Sequence, residues 1–291
     1  MATRLKSTFL SPIQSTAVAP ASGATINHQV DTTRNLHAIT LHFDDGGVDA
    51  TEAQIKADIG LIKVQYNGVD IVRATATELC DILSYYEDAV STGFIAGTLR
   101  IPLTRRDLPT AALNQLFAIG MVDAQGRPQN LTAQIACAGT VTNIDGCNVG
   151  YEYDLADPRP LGLHMRLLQH TRTFASTGQK AVTDLPIKGR NAILAYHIHD
   201  TTGTITQIEL KQGEFDLIAN QAVNFLKDRD HRAGWIWQTN YTHVNLATQG
   251  DLNDGMPAGD RASGVILTPN WPSTGPGGNY TIIEECMVNG L

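Results

Sequence analysis

The sequence predicts an all-β chain made of two tandem eight-stranded antiparallel jelly rolls, with short helices confined to loops. Three observations predict this fold. Short alternating apolar runs are separated by turn-rich loops. One run of elements recurs in the second half of the chain. The composition can fill two cores while carrying few charges: over 291 residues, 42% are hydrophobic and only 17% charged, against roughly 25% charged in ordinary soluble domains. A weakly charged surface suits a protein that packs against copies of itself. A net charge of -8 argues against wrapping nucleic acid, because phosphate contacts are made by Lys and Arg.

Residues 1–26 are rich in Ser, Thr, Ala and Pro, contain Arg4 and Lys6, and have no acidic residue. They read as an extended arm rather than a packed element. No apolar run reaches the roughly 18 to 20 residues that span a bilayer, and the N-terminus lacks the apolar core of a signal peptide. From Leu36 the pattern becomes strand-like: Ile39, Leu41 and Phe43 alternate with Thr40 and His42, the period of a half-buried strand. Thr51-Glu52-Ala53-Gln54 is a capping box that opens a short helix. Asn67-Gly68, between two short apolar runs, is a strong hairpin signal. Thr75-Ala76-Thr77-Glu78 is a second capping box, followed by Leu79, Ile82, Leu83 and Tyr86 on one helical face.

The repeat supports duplication. At a shift of 155 positions, Leu194, Tyr196 and Ile198 fall on Ile39, Leu41 and Phe43, His197 falls on His42, and Asp200 on Asp45. At a shift of 146, Ile208 and Leu210 fall on Ile62 and Val64. At a shift of 149, residues 131–139 fall on 280–288 and match Cys137 to Cys286. The resulting division is an arm over 1–26, a first jelly roll over 27–150, a linker over 151–177 with two prolines and several basic residues, and a second jelly roll over 178–291.

The search for chemistry centres on Ala195–Gly203, AYHIHDTTG. His197 and His199 share a strand face and suggest a metal site of the cupin kind, which also needs a nearby carboxylate and a third His. Glu209 lies ten positions beyond His199, and neither His231 nor His243 is fixed nearby by spacing. The simpler reading puts Leu194, Tyr196 and Ile198 in the core and both His on the outer face, in solvent or at a subunit contact. The segment 251–260 offers Asp251, Asn253, Asp254 and Asp260, but Ala262 stands where an EF-hand needs a bidentate Glu. It reads first as a solvated loop, with structural calcium as the alternative. Glu284 and Glu285 are adjacent on a strand and point to opposite faces. Cys80, Cys137, Cys147 and Cys286 lack CxxC spacing and read as reduced, buried residues, with a Cys137–Cys147 disulfide as the lesser alternative. No GxSxG, Walker or dinucleotide-binding motif occurs. No catalytic residue and no cofactor is assigned.

Several runs carry a resemblance: TEAQIKADIGLIKVQYNG, LNQLFAIG with the strand LTAQIACAG, ITQIELKQGEFDLI, and TFASTGQKAVTDLPIKGRNAILAYHIH. In these the chain resembles the double jelly-roll major capsid proteins of membrane-containing icosahedral phages, of the corticovirus coat-protein kind. The resemblance implies a non-enzymatic subunit that forms homotrimers. These capsomers contact neighbouring capsomers and a vertex (penton) protein, and they enclose an internal viral membrane or its proteins. It also implies residence in the virion capsid, after synthesis in the host cytoplasm. The alternatives are a double jelly-roll enzyme, either a two-cupin metal-dependent oxygenase or a glycan-processing hydrolase, and a carbohydrate-binding or spike module. A spike typically carries a fibrous or repeat stalk, which this sequence lacks.

Overall fold

The computed structural model describes residues 9–10, 20–30, 32–86, 97–104, 116–176, 178–200, 205–247, 255–258, 264–271 and 276–290. The first strand lies inside the segment expected to be an unpaired arm. β1 (Phe9–Leu10) pairs antiparallel with Tyr153 and Glu152. Main-chain pairing at a sheet edge needs no apolar run, so composition did not disclose it. The elements that follow are β2 (Thr25–Val30), β3 (Leu36–Asp45), β4 (Val48–Asp49), α1 (Glu52–Asp58), β5 (Ile59–Tyr66), β6 (Val69–Thr75), α2 (Ala76–Tyr86), β7 (Thr98–Pro102), β8 (Leu131–Cys137) and β9 (Gly146–Tyr153). After them come β10 (Leu163–Ser176), β11 (Ala192–Asp200), β12 (Gln207–Gln212), β13 (Phe215–Ala222), α3 (Val223–Arg232), β14 (Tyr241–Asn245), β15 (Met256–Pro257), β16 (Val265–Asn270) and β17 (Pro276–Asn289).

The chain divides into two compact units. The first holds Met1–Leu83, Thr92–Arg166 and Asn289–Leu291; the second holds Ser84–Ser91 and Leu167–Val288. The division falls within α2, so Tyr85 and Tyr86 belong to the second unit. Residues 163–176, expected to be linker, are the strand β10.

In the first unit one sheet runs β1-β9-β3-β7, with β4 closing the end of β3, and the other runs β6-β5-β8-β2. The late strands β8 and β9 insert between early ones, the nested Greek-key order of a jelly roll. Local signals set the elements. Thr51 caps α1: its Oγ1 accepts from Gln54 N while Gln54 Oε1 accepts from Thr51 N. Thr75 and Glu78 do the same at the start of α2, with Glu78 Oε2 accepting from Thr75 N at 2.8 Å. Asn67 and Gly68 have φ of 50° and 82°, the left-handed pair that a two-residue hairpin turn requires. The alternation of β3 buries Ile39, Leu41 and Phe43 completely, and β8 alternates buried and part-exposed residues along its length. Asp58, itself buried, gathers the 142–144 turn by accepting from the backbone of Thr142, Asn143 and Ile144 at 2.6 to 3.2 Å. These donors hold its carboxyl below the usual range against the opposing pull of burial.

The second unit repeats the pairing scheme. β17 lies between β10 and β11, with β14 on the other side of β11. β12 pairs with β13 in a hairpin and with β16 on its other edge. The far side of β16 takes Gln179 and Val182 as isolated bridges to Asn270 and Leu267. Among the described residues this second sheet has three strands and a bridged fourth position. The core holds Ile193, Tyr196, Ile198, Ile208, Leu210, Val244, Leu267 and Ile282, among others.

Two of the three repeat matches survive this pairing. β3 corresponds to β11 and β5 to β12. The third does not: β8 pairs with β5 and so corresponds to β16, while β17 pairs with β11 and corresponds to β9. The four cysteines are free and buried; burial pushes the Cys147 thiol up to about 12.

Candidate functional site

β11, the strand carrying HIHD, is buried on both faces. A register shift between Ile193 and Ala195 leaves Leu194 out of the pairing. Ile193 therefore takes the core place that alternation assigned to Leu194, beside Tyr196 and Ile198. Leu194 is buried, and its carbonyl accepts from Leu246 N.

The opposite face carries Ala195, His197 and His199, and here the sequence reading fails for His197. Its side chain has no exposed surface. Tyr85 and Tyr86, from the last turn of α2, lie edge-on to its ring at centroid distances of 5.5 and 5.8 Å. Directly across the strand pair stands His243 on β14, also fully buried, with the two Nδ1 atoms 2.7 Å apart. His197 Nε2 faces Glu285 Oε1 at 3.3 Å, and Tyr86 Oη donates to Glu285 Oε2 at 2.8 Å. Tyr85 stacks on His243 at 3.9 Å and donates from Oη to Asp230 Oδ2 at 2.7 Å, while Arg229 Nη2 donates to Asp230 Oδ1 at 2.9 Å. His199 is half-buried and stacks on Tyr241 at 4.6 Å.

The geometry fixes the protons. One Nδ1 must donate and the other accept. If His243 donates, His197 can accept on Nδ1 and donate from Nε2 to Glu285, and the bare His243 Nε2 is an acceptor without a partner. The reverse arrangement buries an unpaired His243 N–H, the costlier orphan. Burial and the neighbouring His197 hold His243 well below the usual histidine range. Asp230 is shifted up, chiefly by burial. A solvent-borne substrate has no access to imidazoles buried to this degree, so the cluster serves to join Tyr85 and Tyr86 to α3, β11, β14 and β17 within the second unit.

Glu284, on the core side of β17, points away from Glu285, as adjacent strand residues must. It is fully buried and accepts from Arg190 Nε at 2.5 Å, and its other oxygen lies 2.8 Å from His170 Nε2. These partners hold its carboxyl below the usual range even though burial pulls the other way.

Among the described residues, one set of three ligating side chains stands close enough to share an ion: His42, Asp44 and Asp49, at the β3–β4 turn. His197 and His199 are not part of it. Asp251, Asn253, Asp254 and Asp260 lie outside the described residues, as does Ala262. Apolar side chains are exposed on the second unit: Phe215 (78%) and Leu217 on β13, Phe225 (67%) on α3, and Ile236 beyond it. The sequence reading did not single these out. The signal was present in FDLIANQA, where Phe215 and Leu217 fall on one strand face.

Both units have jelly-roll topology, so the chain is a double jelly roll. Residues 11–145 match the family model for the viral coat protein P2 N-terminal domain. Of solved structures, the chain is similar to the major capsid protein P2 from bacteriophage PM2, with 12% identity over 98% of each chain and a TM-score of 0.79. It is also similar to the Sulfolobus Turreted Icosahedral Virus structure, with 12% identity over 96% of this chain and 90% of that one and a TM-score of 0.65. The PBCV-1 virus capsid is a further match, with 10% identity over 98% of this chain and 94% of that one and a TM-score of 0.63. No curated protein matches the chain in sequence. The chain has the fold of the double jelly-roll capsid proteins it is similar to.

Proposed function

We infer that this chain is a viral coat protein and the major building block of an icosahedral shell, as a homotrimer. The observation that carries the reading is the duplication. Two barrels in one chain give six in a trimer, so a threefold object fills a site with six near-equivalent neighbours. The exposed Phe215, Leu217 and Phe225 supply apolar surface of the kind that lasting subunit contacts cover. The protein is part of the virion and assembles into capsomers. In the finer reading these contact neighbouring capsomers and a vertex protein and sit over an internal membrane, after synthesis in the host cytoplasm. Arg4 and Lys6 suit an anionic membrane surface, each contributing about 1 kcal/mol and gaining strength from three arms acting together. Multi-angle light scattering tests the trimer: the expected mass is three times the 31.4 kDa of the chain, and a monomer at micromolar concentration contradicts it. Removing residues 1–8, which spares β1, should leave the trimer intact and lower the yield of membrane-filled shells. Undiminished yield contradicts the role of the arm.

A further inference from the structure

The second unit contains a cleft of 470 Å³ between the end of β11, the start of α3 and the segment leading into β14. This volume lies within the roughly 300–1,000 Å³ of small-molecule sites. Ile198 and Ile205 give it an apolar base, Trp237 and Tyr241 line it, and Asn224, Lys227, Gln238 and Asn240 stand around it. The surround is fixed rather than loose. Trp237 Nε1 donates to Tyr241 O at 2.9 Å, and its ring meets that of His243 edge-on. Asn240 has φ of 63°, and its carbonyl accepts from Asp200 N at 2.9 Å. Gln238 Nε2 donates to Ile236 O at 2.9 Å.

The chemistry of this lining narrows the ligand. Its charged side chains are Lys227, exposed, and Asp200, buried and accepting from Trp271 Nε1. One ammonium with a carboxylate nearby is a poor receptor for phosphate or sulfate, which call for several cations or a guanidinium fork. Neutral amides both donate and accept, and so pair with hydroxyl groups of either sense. An indole beside them offers apolar surface to a C–H-rich face. A molecule that combines hydroxyl edges with a C–H face, of a size to fit 470 Å³, is a pyranose sugar.

We propose that this cleft binds a neutral mono- or disaccharide, giving the coat protein a glycan-recognition site separate from shell assembly. Trp237 supports the ring, and Asn224, Gln238 and Asn240 bind its hydroxyls. The test is saturation-transfer difference NMR on the full-length protein with three probes in turn: methyl α-glucopyranoside, lactose and diacetylchitobiose. Phosphorus line broadening of inorganic phosphate serves as the charged arm. The expected result is transfer to the protons of at least one sugar, reduced at least fivefold in the double variant N224A/Q238A. Both residues border solvent, so circular dichroism should show that variant folded; Trp237→Ala removes a residue packed on the core and is secondary. Absence of transfer from all three sugars overturns the proposal. So does transfer undiminished in the double variant, or phosphate broadening with no sugar transfer.

Discussion

Lowering the pH from 7.5 to 5.5 should destabilise the second unit through His243. The ring is fully buried, and its shift is downward from 6.5. In the unfolded chain the same imidazole takes up a proton as pH falls through 6.5, so the unfolded state binds more protons and stability falls with pH. The sign is that of a depressed base: nothing is lost above 6.5, and the loss grows from there down to the folded value. With the folded ring neutral throughout, one group contributes about 1.4 kcal/mol over this interval. The groups around it are His197, Glu285, Tyr85, Tyr86, and Asp230 with Arg229. The perturbation is His243→Phe, which keeps the ring stack on Tyr85 while removing the titration. Urea unfolding followed by tryptophan fluorescence, at both pH values, should give a wild-type loss about 1.4 kcal/mol larger than that of the variant. At pH 7.5 the variant should also be weaker by roughly 1 kcal/mol for the lost hydrogen bond to His197. An equal pH dependence in the two proteins would refute the reasoning.

Two further substitutions probe the framework. Glu284→Gln leaves Arg190 and His170 facing a neutral partner in a buried site, and should cost about 3 kcal/mol in chemical denaturation at pH 7. Because the Glu284 carboxyl is shifted down from 4.5, this difference should shrink as the pH is taken below 4.5; a loss under 0.5 kcal/mol contradicts the assignment. Gly120→Ala would put a Cβ 2.2 Å from Arg159 O and 2.5 Å from Pro160 O, so backbone must shift, and soluble yield and melting temperature should both fall sharply. An unchanged melting curve would show that the close approach is not needed.

What the sequence disclosed was local. The two capping boxes and the Asn67-Gly68 turn were legible because each is decided within four residues. The strands β3, β5, β8 and β12 were legible from their alternation. His197 was misread because the tyrosines that bury its face lie more than a hundred positions away, and alternation describes one face without saying whether the other is covered. The residue left unpaired at Leu194 moved the core set by one position, which no periodicity anticipates. The last repeat match failed because similar apolar runs, β8 and β17, take non-equivalent places: β8 pairs with β5, whereas β17 pairs with β11, the counterpart of β3. β10 was hidden by its basic residues and by the prolines before it. The family resemblance rested on short runs spread along nearly the whole chain.

The most direct test of the account is electron microscopy of the purified protein at high concentration in the presence of lipid vesicles. Capsomers with a threefold core and a near-hexagonal outline of six lobes, packed into curved lattices or closed shells, are the expected result. Dispersed single two-lobed particles that form neither trimers nor lattices would contradict it.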